Sequence, residues 1–247
     1  MNMEWQEIEG LADVASPGLL VDVDRMSLNL NSMVGMVDGE TSRLRPHVKT
    51  HKMPIVTRMQ VERGITKFKA ATIAEAAMVA ENGGQDILLA YQPVGPNLER
   101  LLQLATDHPN VSFATVVDDI QIANDLARLS GDQGHTLRLF IDVDCGMHRT
   151  GIPLGDALAE LRTVIESHDS LDFAGLHVYD GHLHQSSLSE RRLAASEIIA
   201  AIQSYDALNP SPTIIGGGSP TFASWAKETN FECSPGTTIF WDLGYGD

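Results

Sequence analysis

From residue 67 onward the chain alternates between two hydrophobic periods, and that alternation constrains the fold more than any other feature. Short strand-like runs occur at KFKAAT (67–72), DILLAY (86–91), VSFATVV (111–117), LRLFIDVD (137–144), DFAGLHVY (172–179), TIIGG (213–217) and TTIFWD (237–242). Between them lie helical patterns at 73–82, 97–106, 120–129, 154–167, 189–205 and 220–227. Strands separated by helices pair in parallel, because a parallel connection needs a crossover that a helix supplies. Upstream, SPGLLVDVD (16–24) reads as a turn and a short strand, followed by a helix over 25–37. RPHVKTHK (45–52) reads as a strand, followed by a helix over 55–63 that Gly64 stops. Eight strands after residue 44 suit an α/β fold of the (β/α)8 TIM-like barrel type, and an open doubly wound sheet is the alternative.

At 247 residues the chain suffices for one large barrel or two smaller domains. Its formal net charge of −16 repels phosphate backbones and anionic bilayers, so nucleic acid and membrane are excluded as partners. The acidic start MNMEWQEIEG lacks a basic and then apolar leader, which predicts a cytoplasmic protein. Cys145 and Cys233 match neither a disulfide framework nor a zinc spacing and are expected as buried thiols.

Four of the five lysines, Lys49, Lys52, Lys67 and Lys69, lie in or just beyond RPHVKTHK. Strand alternation places Arg45, His47, Lys49 and His51 on one face. A solvated edge strand explains such a face, and so does a barrel strand that delivers an amine of lowered pKa to a pocket. In a barrel, reactive groups gather at the carboxyl ends of strands, where Lys49, Asp144 with CGMHR (145–149), Tyr179, Asp180 and GGGSPT (216–221) all fall. In GGGSPT three glycines admit close backbone approach, Ser219 is a good N-cap and Pro220 fits the first helical position, as a phosphate site requires. A tight turn that binds nothing is the other reading. Arg149 meets a ligand or pairs with Asp142 or Asp144 as scaffold. In HVYDGHLH, His182 and His184 are solvated loop groups, pocket groups or ligands of a metal-dependent hydrolase. Lysine and glycine loop together suit a pyridoxal phosphate Schiff base across the barrel mouth.

Taken in order, RPHVKTHK, KFKAATIAEA, DILLAYQPVGP, DVDCGMHRTGI, GLHVYDGH, GGGSPT and ECSPGTTIFWDLGY resemble the D-threonine aldolase and D-serine dehydratase-like family of pyridoxal phosphate enzymes. More distantly they resemble the alanine racemase N-terminal barrel of fold type III. The likeness runs from about Pro17 to Tyr245. It implies that Lys49 is the catalytic, cofactor-bearing lysine, with His47, Arg149, Tyr179, Gly217, Gly218, Ser219 and Thr221 around the cofactor. Lys69 is the competing lysine, whereas Lys52 faces away and Lys67 points to the far end of the barrel. The barrel then spans 25–247, flanked by 1–24. The family's C-terminal β domain, which brings the ligands of a divalent metal (Mn or Zn), lies beyond this sequence, so no metal residue is assigned here.

The resemblance implies a lyase acting on small D-β-hydroxy amino acids, by retro-aldol cleavage or by elimination of water. Racemisation is a third outcome of the same chemistry, and a cofactor-binding barrel without turnover is a reading of a different class. A homodimer is the assembly it allows.

Overall fold

Seven parallel strands form one sheet in strict chain order, each paired with the next. They are β1 (Lys67–Ala70), β2 (Asp86–Leu89), β3 (Ser112–Val117), β4 (Leu137–Val143), β5 (Leu171–Val178), β6 (Thr213–Gly216) and β7 (Glu232–Cys233). This computed structural model describes residues 9–205 and 212–240. The helices are α1 (Val23–Gly35), α2 (Pro54–Val61), α3 (Ile73–Glu81), α4 (Pro96–Asp107), α5 (Ile120–Asp132), α6 (Asp156–Glu166), α7 (Leu188–Gln203) and α8 (Phe222–Glu228). From β1 to β7 a helix separates every consecutive pair, as the alternation of hydrophobic periods requires.

Local chemistry sets the helix starts. Asp22, Thr72, Asp119 and Ser187 each accept the N–H three residues on, at the heads of α1, α3, α5 and α7. Pro54 and Pro96 open α2 and α4, where a missing N–H costs nothing. The sheet is buried on both faces, as parallel sheets are. Phe68, Ile87, Leu89, Leu139 and Ile141 join the large core, while Leu88, Ala114, Val116, Phe140 and Ile215 form a second cluster.

The stretch at 45–52 differs from its expected form. Leu44 bridges Cys233 and His47 bridges Lys69, both in parallel, but Val48–Thr50 turns as a 3-10 helix. Pro46 brings no N–H to a ladder, the His47 ring accepts the Lys49 N–H, and the Val48 carbonyl accepts from both His51 and Lys52. The chain therefore lies between β7 and β1 with two isolated bridges rather than an eighth strand. His51 consequently leaves the Lys49 face and packs toward α1, in a groove with Met26 and Asn29.

Three other expectations change. Residues 16–24 form no strand, because Asp22 is committed to capping α1 and Leu19 is fully exposed, with no strand beside it among the described residues. In 237–242, Thr237–Ile239 form a 3-10 helix, and Trp241 and Asp242 lie outside the described residues. The sheet takes Glu232 and Cys233 instead, a pair too short to show a period. Lastly, α8 starts at Phe222 with Thr221 in the cap position, rather than at Pro220 behind Ser219.

The amino ends of the strands are tied by charge. Buried Arg45 donates to both carboxylate oxygens of Asp86, at 2.9 and 3.0 Å, and to Glu232 at 2.7 Å. Lys67 also binds Glu232, so it does point to the end away from Lys49. No described helix is long and apolar enough to cross a membrane.

Candidate active site

Alternation in β1 turns Lys67 and Lys69 to one face and Phe68 to the helices, so the sheet itself delivers Lys69 to the interior. Lys69 is 2% exposed. Its amine donates to Ser234 Oγ at 2.7 Å and lies 3.3 Å from His177 Nε2. His177 and Asp142 are register partners on β5 and β4, which puts their side chains side by side. His177 Nδ1 meets Asp142 Oδ1 at 2.7 Å, and Asp142 Oδ2 accepts from Thr150 Oγ1 at 2.8 Å.

The electrostatics follow from burial. Burial and then the nearby Lys49 charge push the Lys69 amine down to about 7, against the opposing pull of Asp142 and Asp180. Burial, followed by the Lys69 charge, lowers His177 below its ordinary value, and burial and the Lys69 and Lys49 charges do the same to His47. A neutral His177 facing a carboxylate carries its proton on Nδ1, which leaves the Nε2 lone pair for Lys69. Burial alone would raise Asp142, but the hydrogen bond and charge of His177, the Thr150 bond and the Lys69 charge together outweigh it and hold Asp142 low.

Lys49 stands at the open mouth beside this buried chain. Its amine is lowered by partial burial and then by Arg149, an effect that solvent screens because the residue is exposed. Tyr179 is the common neighbour: Lys49 and Lys69 each lie 5.5 Å from its ring centroid, and Arg149 lies 4.9 Å away. The scaffold reading of Arg149 is not what forms, since Asp142 pairs with His177 and Asp144 with His148.

On the far side, β6 ends in the glycine loop. A Cβ on Gly216 would lie 2.3 Å from the buried Trp225 ring, and Gly217 has φ +66°, so both positions demand glycine. Buried Asp180 holds the loop, accepting from Gly218 N at 3.1 Å and from Trp225 Nε1 at 2.8 Å. Ser219 Oγ accepts from Gly236 N at 3.1 Å and Thr237 N at 2.9 Å, which leaves its own proton to donate. Thr221 is buried and bonded back to the Gly218 carbonyl.

These groups share a cavity of about 200 Å³ whose walls include His47, Lys49, Lys69, Tyr179, Gly218, Ser219, Ser234 and Thr237. Across His47 and Lys49 a second lobe of about 500 Å³ continues to Tyr91, Gln92, Asp118, Arg149 and Thr150. Two amines, a guanidinium, hydroxyls and a flat aromatic wall form a donor set that fits a phosphorylated aromatic aldehyde such as pyridoxal phosphate. Gly217 and Thr221 lie behind the wall rather than in it. His184 lines the smaller lobe, whereas His182 packs against Gly146. Among the described residues no three His, Cys, Asp or Glu side chains converge as metal ligands would.

Ser234, Gly236 and Thr237 carried no assignment from the sequence, although all three lie in ECSPGTT. The usable signal was Pro235-Gly236 directly after Ser234, a cluster that marks a turn.

Residues 21–243 match the family model described as the alanine racemase N-terminal domain. The crystal structure of D-threonine aldolase from Filomicrobium marinum superposes with a TM-score of 0.88 at 30% identity, covering 96% of this chain and 65% of that one. A D-threo-3-hydroxyaspartate dehydratase from Delftia sp. (strain HT23) is 28% identical over 94% of this chain and 63% of its own length. A 3-hydroxy-D-aspartate aldolase from Paracoccus denitrificans (strain Pd 1222) is 26% identical over 95% of this chain and 62% of its own length. The chain thus spans somewhat under two thirds of these relatives.

Proposed function

Because the chain belongs to the alanine racemase N-terminal domain family, we propose that it binds pyridoxal phosphate on Lys49 and acts as a lyase on small D-β-hydroxy amino acids. The observation that carries this reading is a shared cavity with Lys49 at its open edge, Tyr179 as a wall and the Gly218–Ser219 turn opposite. When bound, the cofactor supplies an electron sink for bonds breaking at the amino acid's α-carbon. Lys49 provides the amine that holds it. Ser219, whose Oγ accepts from Gly236 N, Thr237 N and Thr238 Oγ1, would offer its hydroxyl proton to the phosphate. Arg149, stacked over Tyr179 at the larger lobe, orients the substrate carboxylate.

The names of the relatives support this class: aldolases and dehydratases of D-threonine, D-serine and 3-hydroxy-D-aspartate. The finer architecture belongs to the same proposal. The segment 44–47 takes the eighth place of a (β/α)8 barrel at 25–247, flanked by 1–24. A divalent metal belongs to the same proposal, and among the described residues no three ligand groups converge for it. A homodimer in the cytoplasm, with neither nucleic acid nor membrane as partner, completes the reading.

Pyridoxal phosphate added to the purified protein should give a visible absorbance band that borohydride fixes on the Lys49 peptide, and Lys49→Ala should abolish it. A colourless wild type, or a label found elsewhere, refutes the assignment. Cleavage or dehydration of D-threonine, D-serine or D-3-hydroxyaspartate, with and without Mn or Zn, then separates a lyase from a cofactor-binding barrel.

A further inference from the structure

Two lysines line this cavity, and holding a cofactor accounts for only one. Lys69 differs from Lys49 in every respect that matters to proton transfer. It is buried rather than exposed, and it touches a hydroxyl and an imidazole instead of solvent. It also heads a continuous chain: Lys69 Nζ to His177 Nε2 at 3.3 Å, His177 Nδ1 to Asp142 Oδ1 at 2.7 Å, and Thr150 Oγ1 to Asp142 Oδ2 at 2.8 Å. Such an arrangement of amine, imidazole and carboxylate follows the logic of a triad, in which the third group orients and steadies the second.

We propose that Lys69 is the acid–base residue of this site and that His177, steadied by Asp142, holds its proton. The proposal rests on the lyase reading for its substrate. A proton passes from the Lys69 ammonium to His177 Nε2, breaking an N–H bond on the lysine and forming one on the imidazole, whose new charge lies against the Asp142 carboxylate. The freed amine then takes the proton of the substrate's β-hydroxyl, becoming an ammonium again as the O–H bond breaks. When the aldehyde has left, that proton returns to the remaining fragment and His177 gives its proton back to Lys69. Protons and charge balance over the cycle. Lys49 is left to its cofactor role, with no need to serve as base for the hydroxyl.

The charged and titratable groups facing Lys69 are His47 and Lys49 from the 44–52 segment, Asp142 from β4, His177 and Asp180 from β5 and its loop, and Arg149. Cations among them make proton release from Lys69 easy, and burial acts in the same direction. A lysine that releases its proton near pH 7 is suited to this task, because efficiency peaks when the catalytic pKa lies near the working pH.

Two measurements test this. Trace labelling of the cofactor-free protein with acetic anhydride at a series of pH values, read on the Lys69 peptide by mass spectrometry, should give a midpoint near 7 that falls in Asp142→Asn, because a carboxylate that favours the ammonium is lost. A midpoint near the ordinary lysine value of roughly 10, or one indifferent to Asp142, overturns the proposal. In the cofactor-loaded enzyme, Lys69→Met should still give the visible band trapped on Lys49. It should turn over roughly 10²- to 10⁴-fold more slowly and lose the pH-rate limb near neutrality, while Lys69→Arg fails to restore it. A Lys69→Met enzyme with the wild-type limb and rate, or trapping on Lys69 in the wild type, refutes the assignment. Should the wild type turn over none of the D-β-hydroxy amino acids, the lyase reading falls, and the labelling midpoint with its Asp142 dependence alone decides the triad.

Discussion

Replacing Arg45 with Met separates the residue that ties the amino ends of the strands from the residues that line the cavity. Arg45 is fully buried and makes three hydrogen bonds of 2.7–3.0 Å to the carboxylates of Asp86 and Glu232. Removing one partner of a buried ion pair typically costs about 3–5 kcal/mol, because the other charge stays buried and unpaired. Here Arg138 also reaches Asp86, at 3.1 Å, and Lys67 also reaches Glu232, so part of the charge remains compensated. The lower end, about 3 kcal/mol, is therefore expected. For a domain of this size each kcal/mol shifts Tm by roughly 2–4 °C, which gives a drop of roughly 6–12 °C. Differential scanning calorimetry and urea midpoints measure it. At 10 °C, well below the transition, the cofactor band should be unchanged, because Arg45 binds the first residues of β2 and β7 while Lys49 faces their opposite ends. A Tm within 2 °C of wild type, or loss of the band with stability intact, would show the reasoning to be wrong.

Asp180→Ala leaves the Gly218 N–H and the Trp225 indole N–H without their buried acceptor, at about 1.5–3 kcal/mol for each charge-assisted bond. It should weaken pyridoxal phosphate binding in a spectral titration by at least about tenfold and lower Tm. Gly216→Ala drives a methyl against the Trp225 ring, where a Cβ would lie 2.3 Å away, and should destabilise by about 1–3 kcal/mol in urea unfolding. Lys69→Met should raise stability at neutral pH by about 1–4 kcal/mol, since it removes a charge that burial disfavours. The sign follows from its folded pKa of about 7 lying below the ordinary lysine value of 10.5: wild-type stability grows as pH rises from 7 to 10, and the variant should lack that slope. At the acid end, burial would raise Asp86, but its pairing with Arg45 and Arg138 wins and lowers its pKa. That stability is present above the unfolded value of about 3.9 and is lost as pH falls through the folded one. Buried His47 and His177, also lowered, start the decline sooner, below pH 6.5. Urea midpoints measured from pH 8 to pH 3 should fall in that order, and an acid-insensitive midpoint contradicts it.

The amino-acid order by itself determined the alternating strands and helices from residue 67 to 228, because hydrophobic periods of 2 and 3.6 are local properties. It also placed Lys67 at the far end of its strand and gathered Tyr179 and the glycine loop at strand ends, since position along a strand is local too. It misjudged 45–52, where an alternating pattern reads as a strand, yet Pro46 and the His47 ring interrupt the ladder. It also passed over Glu232 and Cys233, whose strand character comes only from the neighbours β6 and Leu44. Only the tertiary structure decided the contrast between the two cavity lysines. Folding buries Lys69 against Ser234, 165 residues away, and against His177, 108 residues away, while leaving Lys49 at the rim. Burial and the company of other charges set a lysine's proton affinity, and both are properties of the folded chain.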